Sequence, residues 1–470
     1  MYAPDATYDA AAMFFRQVLH ADLGCASYVV ADGGEAVVVD PKWEIEDYLE
    51  LADEHDFAIV HILETHNHAD HVSGHGRLRA ATGATIHASA AAGVEYEHEP
   101  VEDGDAIQVG GARVTALATP GHRPEHLAFL VEDAARSDAP WLVLTGDSLF
   151  VGDVARPDLA VEPDEGARGL YRSLHRLLEL EDFAEAWPGH IGGSLCGGAG
   201  MSEKPGTTIG FERRFNPLLR ADGEEAFVRA LTARLAPQPP NFKRIVSLNR
   251  GRLLTETAAL EPLAPARVKQ MLDGGAVLLD GRDPRQHDAE HVPGSINVTM
   301  IRAAVGTRAA WVVDPEDEVV TTAGSDADAR RMGRLLEAVG FGNLAGMLAG
   351  GTTAWREAGL PTETTEAVDV HGLAERLDRD EVLLLDVRDD DEWEEGHVAG
   401  SVHVPYHDLR GGVPKELRNG KPVAVACSVG NRSSIAVSLL RRAGLERVVH
   451  VTDGGIADLA EEGVELVRGA

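Results

Sequence analysis

Short apolar runs alternate with amphipathic stretches through the first 245 residues. FAIVHILE, ARVTALATP and WLVLTGD have the length and composition of buried strands. YRSLHRLLELEDF carries apolar residues at helical spacing after such runs. This alternation predicts an α/β domain built around a buried sheet.

The rest of the chain contains an internal repeat. LLDGRDPRQHDAEHVPGSINV (278–298) aligns without a gap to LLDVRDDDEWEEGHVAGSVHV (384–404). Each copy has a buried-strand pattern followed by Asp-x-Arg and His-Val-x-Gly-Ser, and a Gly-Gly pair lies further on. We therefore predict two copies of one small α/β domain with parallel sheets.

Two proline-containing segments mark the predicted boundaries. LAPQPPNF (235–242) closes the first domain, and GLPTETTEAVDV (359–370) separates the two repeats. The predicted organisation is therefore a first domain over 1–245, a middle repeat over 255–362 and a last repeat over 366–470.

Composition restricts the partners of this chain. Acidic residues outnumber basic ones 77 to 43, which gives a formal net charge of −34. Such a charge repels phosphate backbones and anionic membrane surfaces, so we expect neither nucleic acid nor membrane as a partner. No run approaches the roughly 18 apolar residues of a membrane-spanning helix.

The cysteines and the first residues bear on the compartment. Cys25, Cys196 and Cys427 are too few and too scattered for a disulfide framework, which favours a reducing compartment. MYAPDATYDAAAMFFRQVL lacks the basic and apolar regions of a secretory signal. We expect a cytoplasmic protein in which Cys25, at the start of an apolar strand, is structural.

Histidines and aspartates cluster where the apolar runs of the first domain end. Strand ends in an α/β fold face a common crevice, where such folds place their sites. Imidazole and carboxylate ligands suit zinc or iron(II), so we predict a metal site there, with the metal and the number of ions left open. The predicted site residues are His66, His68, Asp70, His71, His122, Asp147 and His190.

These motifs resemble those of the metallo-β-lactamase fold family. The resemblance lies in THNHADH (65–71), TPGH (119–122), GD (146–147) and PGH (188–190). It implies an αββα sandwich with the metal at one edge of the two sheets.

The family resemblance implies two alternative chemistries. In hydrolases of the hydroxyacylglutathione hydrolase type, all seven positions bind two metal ions, here two zinc ions, around a bridging hydroxide. In persulfide dioxygenases only the positions of His66, His122 and Asp147 bind, as a two-histidine, one-carboxylate triad on one iron(II). His68, Asp70, His71 and His190 would then surround the ligands. The first domain alone leaves both alternatives open.

The last repeat contains a reactive-cysteine pattern, VAVACSVGNRSSIAVSLL. An apolar strand runs to Cys427, and a helix then begins near Ser433, so the helix N-terminus and Arg432 are expected to stabilise a thiolate. The segment resembles the rhodanese loop Cys-x-x-Gly-x-Arg, and Asp386, Arg388 and His397-Val398 match other rhodanese motifs. The related cysteine phosphatases have one residue more in this loop, so the resemblance implies a persulfide carrier.

Two positions depart from the rhodanese pattern. The tryptophan usual after the Gly-Gly pair is Leu459 in the last repeat, which puts the local packing in doubt. In the middle repeat, Ala323 stands opposite Cys427 and Asp328 opposite Arg432. We therefore expect the middle repeat to be catalytically inert, and it is a candidate assembly surface for a homo-oligomer.

The two resemblances together favour one function. A persulfide dioxygenase produces sulfite, which is the acceptor that a rhodanese needs to release thiosulfate. The expected partners are dioxygen, sulfite and the persulfide of glutathione, coenzyme A or a similar thiol. Arg156 matches an arginine that contacts the thiol carrier in glutathione-using dioxygenases, and Cys196, in a glycine-rich loop, is a candidate relay thiol. The alternatives are a two-zinc thioester hydrolase and a persulfide carrier or sensor without turnover.

Overall fold

The computed structural model describes residues 13–20, 22–137, 139–192, 194–198, 200–233, 235–300, 305–418 and 420–469. Residues 1–12 lie outside this range. They begin both the predicted first domain and the N-terminal segment that lacks the pattern of a secretory signal. The chain divides into two units, Met1–Glu256 and Thr257–Ala470.

Fourteen strands are described in the first unit, twelve of them in two six-stranded sheets. They are β1 (Phe14–His20), β2 (Cys25–Asp32), β3 (Glu35–Val39), β4 (Ala58–Leu63), β5 (Thr85–Ser89), β6 (Glu99–Val101), β7 (Ala106–Val109), β8 (Ala112–Ala118), β9 (Leu127–Asp133), β10 (Leu142–Gly146), β11 (Leu149–Phe150), β12 (Asp153–Val154), β13 (Glu185–Pro188) and β14 (Thr207–Thr208). The first sheet has the order β1-β2-β3-β4-β5-β6, and the second β14-β13-β10-β9-β8-β7. Strands β11 and β12 form a separate hairpin.

Helices cover the outer faces of both sheets. The described helices of this unit are α1 (Glu46–Glu54), α2 (His75–Thr82), α3 (Pro163–Leu177), α4 (Ile209–Phe215), α5 (Glu224–Thr232) and α6 (Phe242–Arg250). Helix α6 runs across the predicted domain end at residue 245, so the first unit extends further than the proline-rich segment indicated.

Side-chain alternation along the strands sorts the apolar residues into three cores. In β2, Val30 packs between the two sheets with Phe129, whereas Val29 packs outward with Tyr48 of α1. On the far side of the second sheet, Leu170 of α3 belongs to the third core. These three cores separate four layers, and the expected αββα sandwich is confirmed.

The second unit contains two five-stranded parallel sheets, as the repeat predicted. The first, of order β15-β19-β18-β16-β17, is built with its helices from β15 (Pro262–Leu263), α7 (Pro265–Asp273), β16 (Val277–Asp280), α8 (Pro284–Ala289), β17 (Ile296–Asn297), α9 (Val305–Val312), β18 (Val319–Thr322), α10 (Asp326–Glu337), β19 (Leu344–Leu348) and α11 (Gly351–Glu357).

The second of these sheets has the order β20-β25-β24-β21-β23. Its repeat comprises β20 (Glu366–Asp369), α12 (Val370–Asp378), β21 (Leu383–Asp386), α13 (Asp390–Glu395), β22 (His397–Val398), β23 (Val402–His403), β24 (Val423–Ala426), α14 (Asn431–Arg442), β25 (Val448–Asp453), β26 (Leu466–Val467) and three short 3₁₀ helices at Tyr406–Gly411, Lys415–Arg418 and Ala457–Ala460.

The leucine that replaces the usual tryptophan is well packed. Leu459 is fully buried in the core of the last repeat, and Trp355 is buried at the matching place in the core of the middle repeat. The substitution therefore leaves the local core intact. None of the helices described in either unit is long and apolar enough to cross a membrane.

Candidate active sites

The seven predicted residues of the first unit lie at the ends of four strands. His66, His68, Asp70 and His71 follow β4, and the other three follow β8, β10 and β13. All seven are buried, at 8% exposure or less. The ends of these four strands thus bring together side chains that are far apart in the sequence.

Three atoms of this cluster face one another without a hydrogen-bond partner. They are His66 Nε2, His122 Nε2 and Asp147 Oδ2. Asp147 Oδ2 lies 3.9 Å from His66 Nε2 and 3.5 Å from His122 Nε2. Buried polar atoms are rarely left unpaired, so this convergence fits a cation held by two imidazoles and one carboxylate.

The remaining polar atoms of these three residues are fixed by neighbours. Thr65 Oγ1 lies 2.9 Å from His66 Nδ1 and donates to Asp40 Oδ2 at 2.7 Å. His122 Nδ1 donates to the carbonyl oxygen of Arg156 at 2.9 Å. Such outer hydrogen bonds fix the ring orientation and leave Nε2 free to bind a metal.

Burial also puts the ligands in the protonation state that a metal requires. It lowers the pKa of His66 well below 6.5, and the charge of His68 lowers it further. Burial likewise lowers the pKa of His122. Burial opposes ionisation of Asp147, but His190 outweighs it and holds the pKa of this carboxyl below its usual range. Two neutral imidazoles therefore face one carboxylate.

His190 is engaged on both of its ring nitrogens. Nδ1 lies 2.8 Å from Asp147 Oδ1, and Nε2 lies 2.8 Å from Asp70 Oδ2. Although burial disfavours the imidazolium, these carboxylates raise the pKa of His190 well above 6.5. Each ring nitrogen of His190 therefore lies within hydrogen-bond distance of a carboxylate oxygen.

His68 and His71 also face carboxylates. His68 Nε2 lies 3.1 Å from Asp40 Oδ1 and 3.3 Å from Glu64 Oε2, and these contacts raise its pKa against the effect of burial. Burial lowers the pKa of His71, but Asp70 outweighs it and raises it to about 10. His71 Nε2 is itself without a hydrogen-bond partner in the described structure.

Potential ligand atoms that lie within 4.8 Å of one another form separate groups in this part of the first unit. Among the described residues, the group within 4.8 Å that contains Asp147 is His66, His122 and Asp147. Asp70 and His71 form another group with Cys25. The other carboxylate oxygen of Asp147, Oδ1, lies 2.8 Å from His190 Nδ1, and His190 belongs to a third group with Asp70 and Cys196.

Cys25 takes part in this hydrogen-bond network, beyond the structural role expected of it. Its thiol donates to Asp70 Oδ2 at 2.9 Å, and its Sγ lies 3.6 Å from His71 Nδ1. The position of Cys25 at the start of an apolar strand does not predict its contact with Asp70. That contact depends on β2 passing beside the loop after β4.

Cys196 and Arg156 are both buried beside the cluster. Cys196 lies within ligand distance of Asp70 and His190, and burial raises the pKa of its thiol well above its usual value. The Arg156 guanidinium donates to both carboxylate oxygens of Asp158 and to backbone carbonyls. Contact of Arg156 with a substrate therefore stays a prediction, and its observed contacts hold the loops around His122.

Two further residues support the site without a sequence signal of their own. His126 Nε2 accepts from the backbone N–H of Asp147 at 2.9 Å. Asn249 of α6 donates to the carbonyl oxygens of His68 and His71, at 3.0 and 2.9 Å. Asn249 thereby fixes the turn that carries these histidines.

The second candidate site is the loop between β24 and α14. Cys427 follows β24 directly and is 2% exposed. The backbone N–H of Gly430 donates to Cys427 Sγ at 3.2 Å, and Ser433 Oγ lies 3.5 Å from the same sulfur. Donors that converge on a sulfur stabilise a thiolate or persulfide anion.

Arg432 shapes this loop through acidic partners. Its guanidinium donates to Glu392, to Asp389 Oδ2 at 2.8 Å and to Ser428 Oγ at 2.8 Å. Burial opposes ionisation of Glu392, but the hydrogen bond from Arg432 lowers its pKa to about 2. Arg432 therefore ties α13 to the loop, and its role towards the transferred sulfur stays a prediction.

A model of the metallo-beta-lactamase superfamily matches residues 20–190. A hydroxyacylglutathione hydrolase of Methylobacterium nodulans is 32% identical over 198 residues, which are 37% of this chain and 73% of the relative. The chain belongs to the metallo-beta-lactamase superfamily. A model of the rhodanese-like domain matches residues 264–358 and 369–462 of the chain. This match confirms that the two repeats are rhodanese-like domains.

The chain is also similar to a second curated protein and to a solved structure. The mitochondrial persulfide dioxygenase of Bos taurus is 28% identical over 249 residues, 52% of this chain and 90% of the relative. The crystal structure of a metallo-beta-lactamase from Staphylococcus aureus is 27% identical, with a TM-score of 0.64, and the match covers 72% of this chain and 98% of that one.

Proposed function

We propose that the protein is an iron-dependent persulfide dioxygenase coupled to a sulfurtransferase. The first unit would oxidise the outer sulfur of a low-molecular-weight thiol persulfide to sulfite, and Cys427 would pass sulfane sulfur to sulfite. The observation that carries this proposal is the convergence of His66 Nε2, His122 Nε2 and Asp147 Oδ2, beside a His190 with both nitrogens engaged. Two histidines and one carboxylate are the ligand set of non-haem iron(II) oxygenases.

The residues around these three atoms have distinct tasks. Bound iron(II) would supply open coordination positions for dioxygen and for the substrate sulfur. Thr65 and the Arg156 carbonyl hold the two imidazoles so that Nε2 faces inward. His190 holds one oxygen of Asp147 and leaves the other for the cation.

The overall oxidation is R–S–SH + O₂ + H₂O → R–SH + sulfite + 2 H⁺. The S–S bond breaks, the outer sulfur is oxidised and dioxygen is reduced. The buried position of all seven residues excludes bulk water from the reacting sulfur. Cys196, close to His190 and Asp70, is our candidate for a thiol that relays or regulates sulfur at this site.

The rhodanese half of the proposal rests on Cys427. Its thiolate attacks the outer sulfur of a second persulfide, the S–S bond breaks, and the thiol R–SH leaves with the electron pair and a proton. Sulfite then attacks the outer sulfur on Cys427, which releases thiosulfate and restores the thiolate. The N–H of Gly430 and the hydroxyl of Ser433 lie where negative charge would sit on Cys427 at both ends of this cycle.

Metal analysis combined with oxygen uptake tests the proposal. Protein purified without oxygen is expected to contain about one iron per chain and to consume dioxygen when given glutathione persulfide or coenzyme A persulfide, whichever thiol it prefers. Thiosulfate should be the product. Absence of oxygen uptake by the iron-loaded protein would refute the dioxygenase.

The variant Cys427→Ser separates the two half-reactions. It should keep oxygen uptake and accumulate sulfite in place of thiosulfate. Two zinc ions per chain and anaerobic cleavage of acyl-thiol esters would instead support the hydrolase. Stable persulfide on Cys427 without turnover would support a carrier or sensor.

A further inference from the structure

A line of buried polar side chains joins the middle repeat to the Cys427 thiol. Asp288 belongs to α8 of the middle repeat, and its Oδ2 lies 2.7 Å from His450 Nδ1. His450 Nε2 lies 3.0 Å from Ser433 Oγ, which lies 3.5 Å from Cys427 Sγ. All four residues are at most 3% exposed.

His450 also contacts the backbone of the reactive loop. Its Nε2 lies 3.0 Å from the carbonyl oxygen of Gly430, the residue whose N–H donates to Cys427 Sγ. A carboxylate only accepts, so Asp288 requires a proton on Nδ1 of His450. A carbonyl likewise only accepts, so the Gly430 contact becomes a hydrogen bond when Nε2 also carries a proton.

The proton on Nε2 decides where the Ser433 hydroxyl points. Opposite a neutral His450, the hydroxyl donates to Nε2 and turns away from the sulfur. Opposite a protonated His450, Nε2 donates to Gly430, and the Ser433 hydroxyl is released to donate to Cys427 Sγ. In both states Nδ1 of His450 donates to Asp288 Oδ2.

Apolar packing does not require these groups. A buried ion pair contributes little net stability over an apolar pair of the same size. Within the internal repeat, Gly346 stands opposite His450, and the residue opposite Asp288 is the exposed Glu394. The Asp288–His450 pair is therefore formed across the two repeats and is not inherited from either one.

We propose that Asp288 and His450 orient the Ser433 hydroxyl and the Gly430 loop toward Cys427. The repeat without a nucleophile thereby completes the active site of the repeat that has one. Ser433 is the catalytic residue of this set because its hydroxyl contacts the sulfur, and Asp288 and His450 are positioning residues. The inference rests on the proposed role of Cys427 as the sulfur carrier.

The Ser433 hydroxyl would stabilise negative charge on Cys427 Sγ in both steps of sulfur transfer. When Cys427 attacks a persulfide, the hydroxyl stabilises the attacking thiolate. When sulfite takes the outer sulfur, the S–S bond breaks and Cys427 Sγ receives the electron pair, which the same hydroxyl then stabilises. Both steps are displacements at sulfur and need no external oxidant.

The test is the pH dependence of Cys427 alkylation by iodoacetamide, followed on the Cys427 peptide by mass spectrometry. Asp288→Asn and Ser433→Ala should each slow alkylation at pH 7 by about tenfold and move the midpoint of the rate profile to higher pH. Glu394→Gln, which removes a charge at the matching position of the last repeat, should behave as the unmodified protein. The ionisable groups facing this line are His287, beside His450, and Arg432, beside Cys427.

A double variant shows whether Asp288 acts through His450. If it does, Asp288→Asn combined with His450→Gln should be no slower than His450→Gln alone. In thiosulfate–cyanide transfer, Asp288→Asn should lower kcat and leave KM unchanged. An unchanged pH profile in Asp288→Asn would overturn the proposal.

This test does not depend on the dioxygenase. Iron content and oxygen uptake should be the same in Asp288→Asn as in the unmodified protein. If the unmodified protein fails to take up oxygen, the proposed function fails while the alkylation result still stands. If oxygen uptake is normal and alkylation is unaffected, only the role of Asp288 fails.

Discussion

Neighbouring histidines in one turn have opposite electrostatic surroundings. His66 faces other imidazoles and is held neutral, whereas His68, two residues later, faces Asp40 and Glu64. The type of residue alone therefore does not predict the electrostatic surroundings of a histidine in this turn. Asp40 Oδ1 and Glu64 Oε2 lie 3.1 and 3.3 Å from His68 Nε2, and these contacts distinguish it from His66.

The two histidines provide a matched pair of variants. His66→Gln should reduce bound iron from about one per chain to near zero, because it would remove one of the three ligands that we propose. His68→Gln should keep the iron and weaken its binding by about 10–100-fold, as expected for a supporting residue. Metal analysis after anaerobic purification distinguishes these results. Equal loss of metal in both variants would contradict a three-residue site.

Several site residues could be found from sequence, and others could not. Asp40 follows β3 as Asp147 follows β10, so the expectation that site residues lie just after strand ends extends to Asp40. His126 lies four residues after His122, but its bond to the Asp147 backbone gives no pattern. Asn249 could not be found, because its role depends on how α6 packs over the turn after β4.

At the scale of elements, the end of β10 requires a glycine. Gly146 has φ +48°, and a Cβ there would lie 2.7 Å from His126 Nε2 and 2.9 Å from Thr65 Cβ. The strand must turn sharply at this point to present Asp147 to the two histidines. Backbone geometry and ligand geometry are therefore coupled at one residue.

Gly146→Ala should destabilise the first unit and weaken metal binding together. A left-handed φ costs a non-glycine residue about 1–2 kcal/mol, and the close contact adds about 1–3 kcal/mol. Gly34→Ala is the control, since Gly34 has φ +84° but nothing within 4 Å of a Cβ. Urea unfolding and iron content measure both effects. A loss no greater than that of Gly34→Ala would contradict the contact argument.

Helices α13 and α14 are joined by the Glu392–Arg432 pair, which makes this junction sensitive to acid. The folded pKa of Glu392 is about 2, below its ordinary value of 4.5. The stabilisation is therefore complete above about pH 5 and is lost as the pH falls toward 2. Calorimetry should show the unmodified protein melting above Glu392→Gln at pH 7, with the gap narrowing by pH 3.5. A gap independent of pH would contradict this linkage.

On the scale of the whole molecule, periodicity and repetition predicted the αββα sandwich and the two parallel sheets. They did not predict strand order, because pairing such as that of β10 with β13 joins distant residues that no local pattern links. The first unit extends to Glu256, beyond the proline-rich segment at 235–242. Helix α6 contributes Asn249 to the site and so belongs to that unit despite the proline-rich segment before it.

The net charge of −34 should slow the approach of anions. Raising the ionic strength from about 10 mM to about 150 mM shortens the screening length from about 30 Å to about 8 Å. Alkylation of Cys427 by anionic iodoacetate should therefore accelerate with salt, while the rate with neutral iodoacetamide stays constant. Equal salt dependence of the two reagents would show that the net charge does not act at the loop, and slowing of iodoacetate by salt would show that local positive charge dominates there.

The burial of Cys427 limits which molecules could react with a persulfide on this residue. A persulfide on a sulfur that is 2% exposed is out of reach of thiols on the surfaces of other proteins. Under the proposed function, small molecules such as the persulfide donor and sulfite still have to reach this sulfur. The burial that slows entry of a substrate would thus also protect the surrounding proteins from unwanted persulfidation.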